Sequence, residues 1–327
     1  MRISFDEMKK EFNRVLIKYG FPEAKAEVCA AIFAGNSLDG VYSHGLNRFP
    51  VFIQYVKEKL INPAAEPETI GINGAIEQWD GHLGPGMYIA TLAMRRAVEL
   101  SKQNGIGCVA VRNTNHWMRG GTYGWQAANE GCIGFCTTNT IANMPPWGGK
   151  EPRLGNNPII IAIPCKDGNI VLDMALSQYS YGKMQEYQLN EKPLPFEGGF
   201  DSNGQLTKDP ASIRKSKRPL PIGLWKGSGL SLMMDLLVTL LSEGKSTATI
   251  SNSGKEYGLS QFFLSIHPQK WNEDLITQIL EFTKGSQLSE ESATIKYPGE
   301  NSLSTRQFNL QHGIPVVEEI WHKVLEL

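Results

Sequence analysis

The stretch Gly105-Ile106-Gly107-Cys108-Val109-Ala110 matches the G-x-G-x-x-A pattern of dinucleotide-binding loops. In a Rossmann fold this pattern follows a strand and opens a helix, so that backbone amides at the helix N-terminus face the pyrophosphate. Here the order is reversed, because the hydrophobic periodicity predicts a helix over 87–102 and an extended segment over 108–111. The stretch is therefore predicted to end a helix, and the sequence argues against a Rossmann fold.

A second glycine motif, Gly244-Lys245-Ser246, has the last three residues of a phosphate-binding P-loop. That loop needs another glycine five positions before Gly244, and Thr239 stands there inside an apolar helical segment. No P-loop is predicted.

Helices and short strands alternate along the rest of the chain. Ser4 and Glu7 form a capping box at the start of the first helix, and Pro50 is expected in the first turn of a later one. Extended segments are predicted over 75–78, 133–138, 159–163, 170–174 and 261–266. Further helices are predicted over 230–241, 274–283 and 316–325. A chain of 327 residues exceeds what one hydrophobic core usually holds, so two lobes of an α/β fold are expected.

The charge and cysteine content exclude several classes of function. The 32 basic and 33 acidic side chains nearly cancel, which removes the electrostatic case for wholesale binding of nucleic acid or an anionic membrane. No segment approaches the ~18 uninterrupted apolar residues of a membrane span and no leader is visible, so we expect a cytoplasmic protein. The five cysteines are expected to be buried, reduced and structural. No metal site is predicted, because no further ligands cluster near Cys132 and Cys136.

A histidine and an arginine stand four residues apart in Val41-Tyr42-Ser43-His44-Gly45-Leu46-Asn47-Arg48-Phe49. Imidazole exchanges a proton near neutral pH, whereas guanidinium binds a carboxylate with a fixed, permanently charged fork. On one helical turn the two side chains would lie about 6 Å apart at Cβ, close enough to hold a small 2-keto or 2-hydroxy acid. The alternative is an ordinary helix N-terminus, with Ser43 as the cap and Arg48 in solvent. The motif alone leaves both interpretations open.

Further motifs follow in order along the whole chain. They are Gly74 to Asp80, Asn113-x-Asn115-His116-Trp117 with Arg119-Gly120-Gly121, Met144 to Gly148, Gly155-x-Asn157-Pro158, Leu220 to Gly229 and Tyr297 to Glu300. Together with the His44 motif they resemble the malate/L-lactate dehydrogenase family of oxidoreductases, which lack a Rossmann fold. The resemblance implies an α/β fold with a helical N-terminal domain over 1–70, completed by C-terminal helices at about 270–327. A mixed-sheet domain over 71–269 would bind cofactor and substrate.

The resemblance also implies hydride transfer between a nicotinamide cofactor and a small keto acid, with His44 giving the proton. Arg48 would hold the substrate carboxylate, and His116 and Asn115 would contact the substrate. The cofactor would lie against Asn169, Ile170, Val171, Leu172, Asp173, Met174 and Ala175, then Trp225 and Lys226, then Gly299, Glu300 and Asn301. NADH is the expected cofactor, with NADPH (NADP) as the alternative. A diketo sugar acid is the first-choice substrate, and malate, lactate or ureidoglycolate is the alternative.

The apolar helix over 230–241 carries large side chains around its circumference, which either a dimer interface or the core of a monomer would bury. The resemblance implies a homodimer. The basic run over 214–218 is expected in a solvated loop, with phosphate binding as the alternative. A rival to the enzyme is a catalytically silent protein that binds a sugar acid, and the intact His44 and Arg48 argue against it.

Overall fold

The computed structural model describes residues 1–290 and 293–327. The helices within these residues are α1 (Phe5–Lys18), α2 (Glu23–Leu38), α3 (Phe49–Lys57), α4 (Gly86–Asn104), α5 (Gly121–Asn129), α6 (Tyr181–Leu189), α7 (Pro210–Ser216), α8 (Trp225–Ser242), α9 (Thr247–Asn252), α10 (Glu273–Lys284), α11 (Glu300–His312) and α12 (Glu318–Glu326). Two single-turn 3-10 helices, Tyr42–His44 and Leu46–Arg48, directly precede α3. None of the helices in the described part of the chain is long and apolar enough to cross a membrane.

The strands are β1 (Arg2–Ile3), β2 (Glu68–Asn73), β3 (Ile76–Asp80), β4 (Ile106–Thr114), β5 (Ile133–Thr138), β6 (Ile159–Ile163), β7 (Ile170–Met174), β8 (Gly199–Phe200), β9 (Leu206–Thr207), β10 (Leu259–Ile266) and β11 (Ile314–Pro315). The main sheet has the order β2-β3-β4-β10-β5-β6-β7. Within it β3 and β4 are parallel, and the other neighbouring pairs are antiparallel. A Rossmann fold is built on a mostly parallel sheet, so the predicted mixed, non-Rossmann sheet is confirmed.

Gly105 ends α4 as predicted. It adopts the left-handed conformation with φ of 81°, and β4 begins at the next residue. Gly107 has no room for a side chain, because a Cβ there would collide with the carbonyl of Ala97. The two glycines of the G-x-G motif thus serve a helix end and the close packing of β4 on α4.

A helical layer is built from both ends of the chain. Ser4 Oγ accepts a hydrogen bond from the Glu7 N–H (3.2 Å), which confirms the predicted cap of α1. Phe12 of α1 stacks on Phe49 of α3, with ring centroids 4.2 Å apart. Trp321 of α12 is buried in the same core, and β1 pairs with β11. C-terminal segments therefore share a hydrophobic core with the N-terminal helices, while the division of the chain into two domains stays a prediction.

Helices cover both faces of the main sheet. α4 and α5 pack on one face, where Val109, Tyr123 and Phe263 are fully buried. α8 packs on the other face through Val238, while Leu240 on its outer side is 72% exposed. The alternative that α8 is a fully buried core helix is therefore wrong for the single chain.

The basic run lies at the end of a helix rather than in the predicted loop. Arg214 and Lys215 occupy the last turn of α7, and Lys217 ends this helix in the left-handed conformation. The Asp209 side chain caps α7 by accepting a hydrogen bond from the Ser212 N–H (3.0 Å). The loop prediction rested on the charged composition of the run. Asp209 followed by Pro210 is a helix start signal, and it explains why these residues form a helix.

Candidate active site

Two cavities meet beside the 3-10 turns that precede α3. The first, which we call the strand cavity, has a volume of about 560 Å³ and is lined by β7 residues and by the segment Lys296 to Gly299. The second, which we call the arginine cavity, has a volume of about 570 Å³ and is lined by Arg48 and by residues of α6. His44 and His116 line both cavities. The two imidazoles therefore stand at the boundary between them.

The turn that carries His44 is held by α2. Asn36 Nδ2 donates a hydrogen bond to the His44 carbonyl (3.0 Å), and the Leu46 N–H donates to Ser37 Oγ (2.9 Å). A Cβ at Gly45 would collide with Ser37. The sequence His-Gly thus lets the chain pack directly on α2, and this packing fixes the backbone of His44.

His116 lies against His44 at the end of β4. The two rings are stacked, with centroids 5.5 Å apart and an interplanar angle of 25°. His116 Nδ1 accepts a hydrogen bond from the Met118 N–H (2.9 Å), so the proton of the neutral ring is on Nε2. His44 Nδ1 lies 3.1 Å from Ser43 Oγ, a hydroxyl that either donates or accepts. The structure therefore brings together two predicted site residues with different hydrogen-bond partners.

Arg48 faces Glu256, a carboxylate that was not among the predicted site residues. Arg48 Nη2 lies 3.8 Å from Glu256 Oε1, and His116 Nε2 lies 4.0 Å from the same oxygen. Both distances exceed hydrogen-bond length. Glu256 Oε2 accepts a hydrogen bond from the Ile141 N–H (3.2 Å), and the side chain is 13% exposed. Arg48 is thus close to a countercharge while its N–H groups stay free to bind an acid.

Burial governs the pKa values in this site. It lowers the pKa of His44 to about 3, with smaller contributions from His116, Arg48 and Arg119. It likewise lowers the pKa of His116 to about 3, with a smaller contribution from Arg48. The pKa of Glu256 is raised by burial, against the opposing effects of Arg48 and a backbone N–H. Both imidazoles are therefore neutral at pH 7.

The strand cavity contains an open helix N-terminus. Gly299, with φ of 98°, precedes α11, and no side chain in the described part of the chain caps this helix. Asn301 and Ser302 of its first turn line the cavity, as does Lys296. A Cβ at Gly299 would lie 3.1 Å from Val171 N, so two backbones approach each other here. A helix N-terminus next to a lysine attracts phosphate groups.

The strand cavity brings together a subset of the residues predicted for the cofactor. Those that line it are Val171, Leu172, Asp173, Ala175, Gly299 and Asn301. Asn169, Ile170, Met174 and Glu300 adjoin them in the chain without lining the cavity. Trp225 and Lys226 are set apart, since they lie at the exposed start of α8 and line neither cavity. A single chain therefore does not gather the full predicted cofactor set.

Asn115 lies behind the site. Its Nδ2 donates hydrogen bonds to the carbonyls of Leu60, Leu83 and Gly84, at 3.2, 2.8 and 3.1 Å. The residue is 2% exposed and lines neither cavity. Its geometry indicates a structural role, and the predicted contact with substrate stays a prediction.

The arginine cavity has lining residues that the sequence patterns did not mark. They include Thr140, Asn156, Tyr181 and Glu256. The one local signal for Glu256 is the pair of glycines that flank it, since Gly254 and Gly258 have φ of 71° and 67°. Such a pair indicates a tight loop but does not indicate where the loop points.

Known proteins share this architecture. A sequence profile described as malate/L-lactate dehydrogenase matches residues 3–325. The chain is 45% identical over 333 residues to 2,3-diketo-L-gulonate reductases of Citrobacter koseri and Escherichia coli (strain K12 / DH10B), with 100% of each chain covered. It superposes on malate dehydrogenase from Entamoeba histolytica with a TM-score of 0.94 at 27% identity, covering 100% of this chain and 96% of that one. For sulfolactate dehydrogenase from Methanocaldococcus jannaschii the TM-score is 0.89 at 31% identity, with the same coverage. This chain belongs to the malate/L-lactate dehydrogenase family, as its motifs predicted.

Proposed function

We propose that this chain reduces 2,3-diketo-L-gulonate to 3-keto-L-gulonate with a nicotinamide cofactor, preferably NADH. The observation that carries the proposal is the position of His44 and His116 at the boundary between two cavities. One cavity suits the phosphates of a cofactor, and the other presents an arginine that suits a carboxylate. Relatives that are 45% identical over their full length carry the name of this reaction. The names of those relatives support the choice of substrate, and the geometry of the two cavities supports the reaction chemistry.

The strand cavity fits a nicotinamide cofactor. The open N-terminus of α11 and Lys296 would hold its phosphates. When bound, the cofactor supplies the hydride. Trp225 and Lys226 would have to reach it from a second chain.

Arg48 would hold the C1 carboxylate of the substrate by two parallel charge-assisted hydrogen bonds. The positive charge of Arg48 is one of the causes that lower the pKa of His44 and of His116. A bound carboxylate offsets that charge, so substrate binding raises the pKa of His44. His44 then gives a proton to the oxygen on C2, which becomes the new hydroxyl, and Ser43 Oγ accepts a hydrogen bond from Nδ1–H of the charged ring.

A substrate panel tests the proposal. The purified chain is assayed with NADH and NADPH in parallel, and loss of nicotinamide absorbance is followed with 2,3-diketo-L-gulonate, oxaloacetate and pyruvate. We expect the highest kcat/KM with 2,3-diketo-L-gulonate and NADH. A higher value with oxaloacetate or pyruvate, or faster oxidation of ureidoglycolate, would establish the alternative of another 2-hydroxy acid dehydrogenase. No turnover with any acid would leave a catalytically silent binding protein.

Replacing Arg48 with lysine keeps the charge but removes the planar fork. We expect a higher KM and a loss of about 2 kcal/mol in kcat/KM, which is roughly 30-fold. Steady-state kinetics measure both, with Arg14→Lys as the control because Arg14 lies on the exposed side of α1. An unchanged KM in the Arg48 variant would show that this guanidinium does not bind the acid.

We propose that the chain forms a homodimer through the outer side of α8. Large apolar side chains are exposed there, namely Leu232 (48%), Met233 (57%), Leu236 (44%) and Leu240 (72%). Two-fold dimers are the commonest soluble assembly. Trp225 and Lys226 begin the same helix, so dimerisation would carry them toward the partner and away from solvent.

Light scattering at micromolar concentration is expected to give about twice the mass of one 36.2 kDa chain. Leu240→Glu should shift the mass toward a single chain, because it buries a charge in the interface. Phe282→Glu is the matched control, since Phe282 is also exposed (87%) but lies on α10. A monomeric, fully active wild type would contradict the dimer.

The cysteines support a reducing compartment, and we propose the cytoplasm. All five are unpaired thiols, of which Cys29, Cys108, Cys132 and Cys136 are buried, while Cys165 is half-buried. Burial raises the pKa of the Cys108 thiol to about 12, which makes it unreactive at neutral pH.

A further inference from the structure

The two imidazoles at the cavity boundary are not equivalent. His116 Nδ1 accepts a hydrogen bond from the Met118 N–H (2.9 Å), a donor that cannot turn away because it belongs to the backbone. Met118 has φ of 66°, in the left-handed region that a side-chain-bearing residue seldom adopts. Such a conformation persists only when the surrounding structure imposes it. Met118 is 3% exposed, so its backbone is held by packing.

A second proton on His116 would have to sit on Nδ1. It would then face the Met118 N–H, and two buried donors would lose their acceptor at the same time. His44 has no such obstacle, because Ser43 Oγ lies 3.1 Å from its Nδ1 and a hydroxyl accepts as readily as it donates. The hydrogen-bond geometry therefore permits the imidazolium at His44 and opposes it at His116.

The charges around His116 do not reverse this preference. Glu256 Oε1 lies 4.0 Å from His116 Nε2 and favours the charged ring, but Arg48 lies 3.8 Å from the same oxygen and opposes it. A charged His44 would repel a charged His116 across the ring stack. Arg119 adds a further positive charge that Asp39 offsets. Tyr55 lines the small cleft beside Glu256.

We infer that His116 acts as a permanently neutral hydrogen-bond donor, whose Nε2–H is presented to an oxygen of the substrate while His44 alone carries the proton. The inference rests on the proposed function and divides its chemistry between the two rings. Burial and Arg48, which lower the pKa of His116 to about 3, act in the same direction. A fixed neutral donor polarises a carbonyl without competing for the proton.

Substitution by glutamine tests this division, because a glutamine amide offers an N–H but cannot act as an acid. His116→Gln is expected to keep kcat/KM within about tenfold of wild type, with the same pH dependence. His116→Ala should lose about 10²-fold, as removal of one such donor does. His44→Gln should lose as much as His44→Ala, since an amide does not replace a proton donor.

Nitrogen NMR of the histidine rings gives a readout that does not depend on turnover. We expect His116 to show an unprotonated Nδ1 and a protonated Nε2 between pH 5 and 9, with or without the unreactive keto acid analogue oxamate. His82→Gln, a change in an exposed histidine, serves as the control for assignment and folding. A His116 ring that titrates in this range, or a His116→Gln variant as inactive as His116→Ala, would overturn the inference. If the wild type reduces no acid while His116 stays neutral, the proposed function fails and the tautomer assignment stands.

Discussion

Replacing His44 with alanine is expected to lower kcat for 2,3-diketo-L-gulonate by about 10² to 10⁴-fold, because a positioned general acid contributes that much. His44 lines both cavities, and Ser43 Oγ can accept a hydrogen bond from its charged ring. Cofactor affinity should change little, since the substitution keeps the open N-terminus of α11 and Lys296, which would hold the phosphates. Steady-state kinetics measure the first quantity, and calorimetry with NADH measures the second.

His82→Ala is the matched control for this substitution. The His82 side chain is 47% exposed and pairs with Glu68 at the surface, so its loss should leave turnover unchanged. Wild-type turnover in the His44 variant would remove His44 from the reaction. An equal loss in both variants would point to a general defect in folding.

Replacing Asp39 with alanine is expected to cost about 3 to 5 kcal/mol of unfolding free energy, because it leaves a buried arginine without its partner. Asp39 and Arg119 form an ion pair in which the side chains are 4% and 6% exposed. Arg306 Nε also donates to Asp39, at 2.6 Å. Arg119 Nε also lies 3.7 Å from Asp173 Oδ2, and the substitution does not remove this second carboxylate. We therefore expect the loss of unfolding free energy to fall toward the lower end of this range.

This network joins the parts of the chain that enclose the site. Asp39 follows α2, Arg119 belongs to the turn after His116, and Arg306 lies on α11. Urea unfolding measures the loss, with Glu319→Ala as a control. Glu319 and Lys323 form an exposed pair at 3.0 Å, which is worth about 1 kcal/mol at most. Equal stability losses in the two variants would show that the buried network contributes no more than a surface pair.

Local patterns were enough to predict the frame of the sheet. The apolar runs at Ile133–Thr138, Ile159–Ile163 and Ile170–Met174 are strands with the same bounds in the structure. Each is a short apolar run, which pattern alone marks well. The order of helix and strand around Gly105 could also be predicted, because a glycine directly after a helical pattern commonly ends the helix in the left-handed conformation.

Elements and residues whose role depends on distant partners could not be predicted in this way. α11 has little apolar periodicity, because it packs through polar residues such as Ser302, Arg306 and Asn309. Glu256 meets Arg48 and His116 only in the folded chain. The motifs therefore indicated His44, Arg48 and His116 as residues of one site, whereas the different protonation of the two histidines follows from the Met118 backbone and needs the structure.

Transfer of deuterium from C4 of labelled NADH tests the central claim most directly, namely that the two cavities bring cofactor and keto acid together at His44. The wild-type chain is incubated with 2,3-diketo-L-gulonate and NADH labelled on either face, and the product is examined by NMR and mass spectrometry. We predict one deuterium at C2 of 3-keto-L-gulonate from one of the two labelled cofactors and none from the other. A product without deuterium from either cofactor, or unreacted 2,3-diketo-L-gulonate beside bound NADH, would contradict the account.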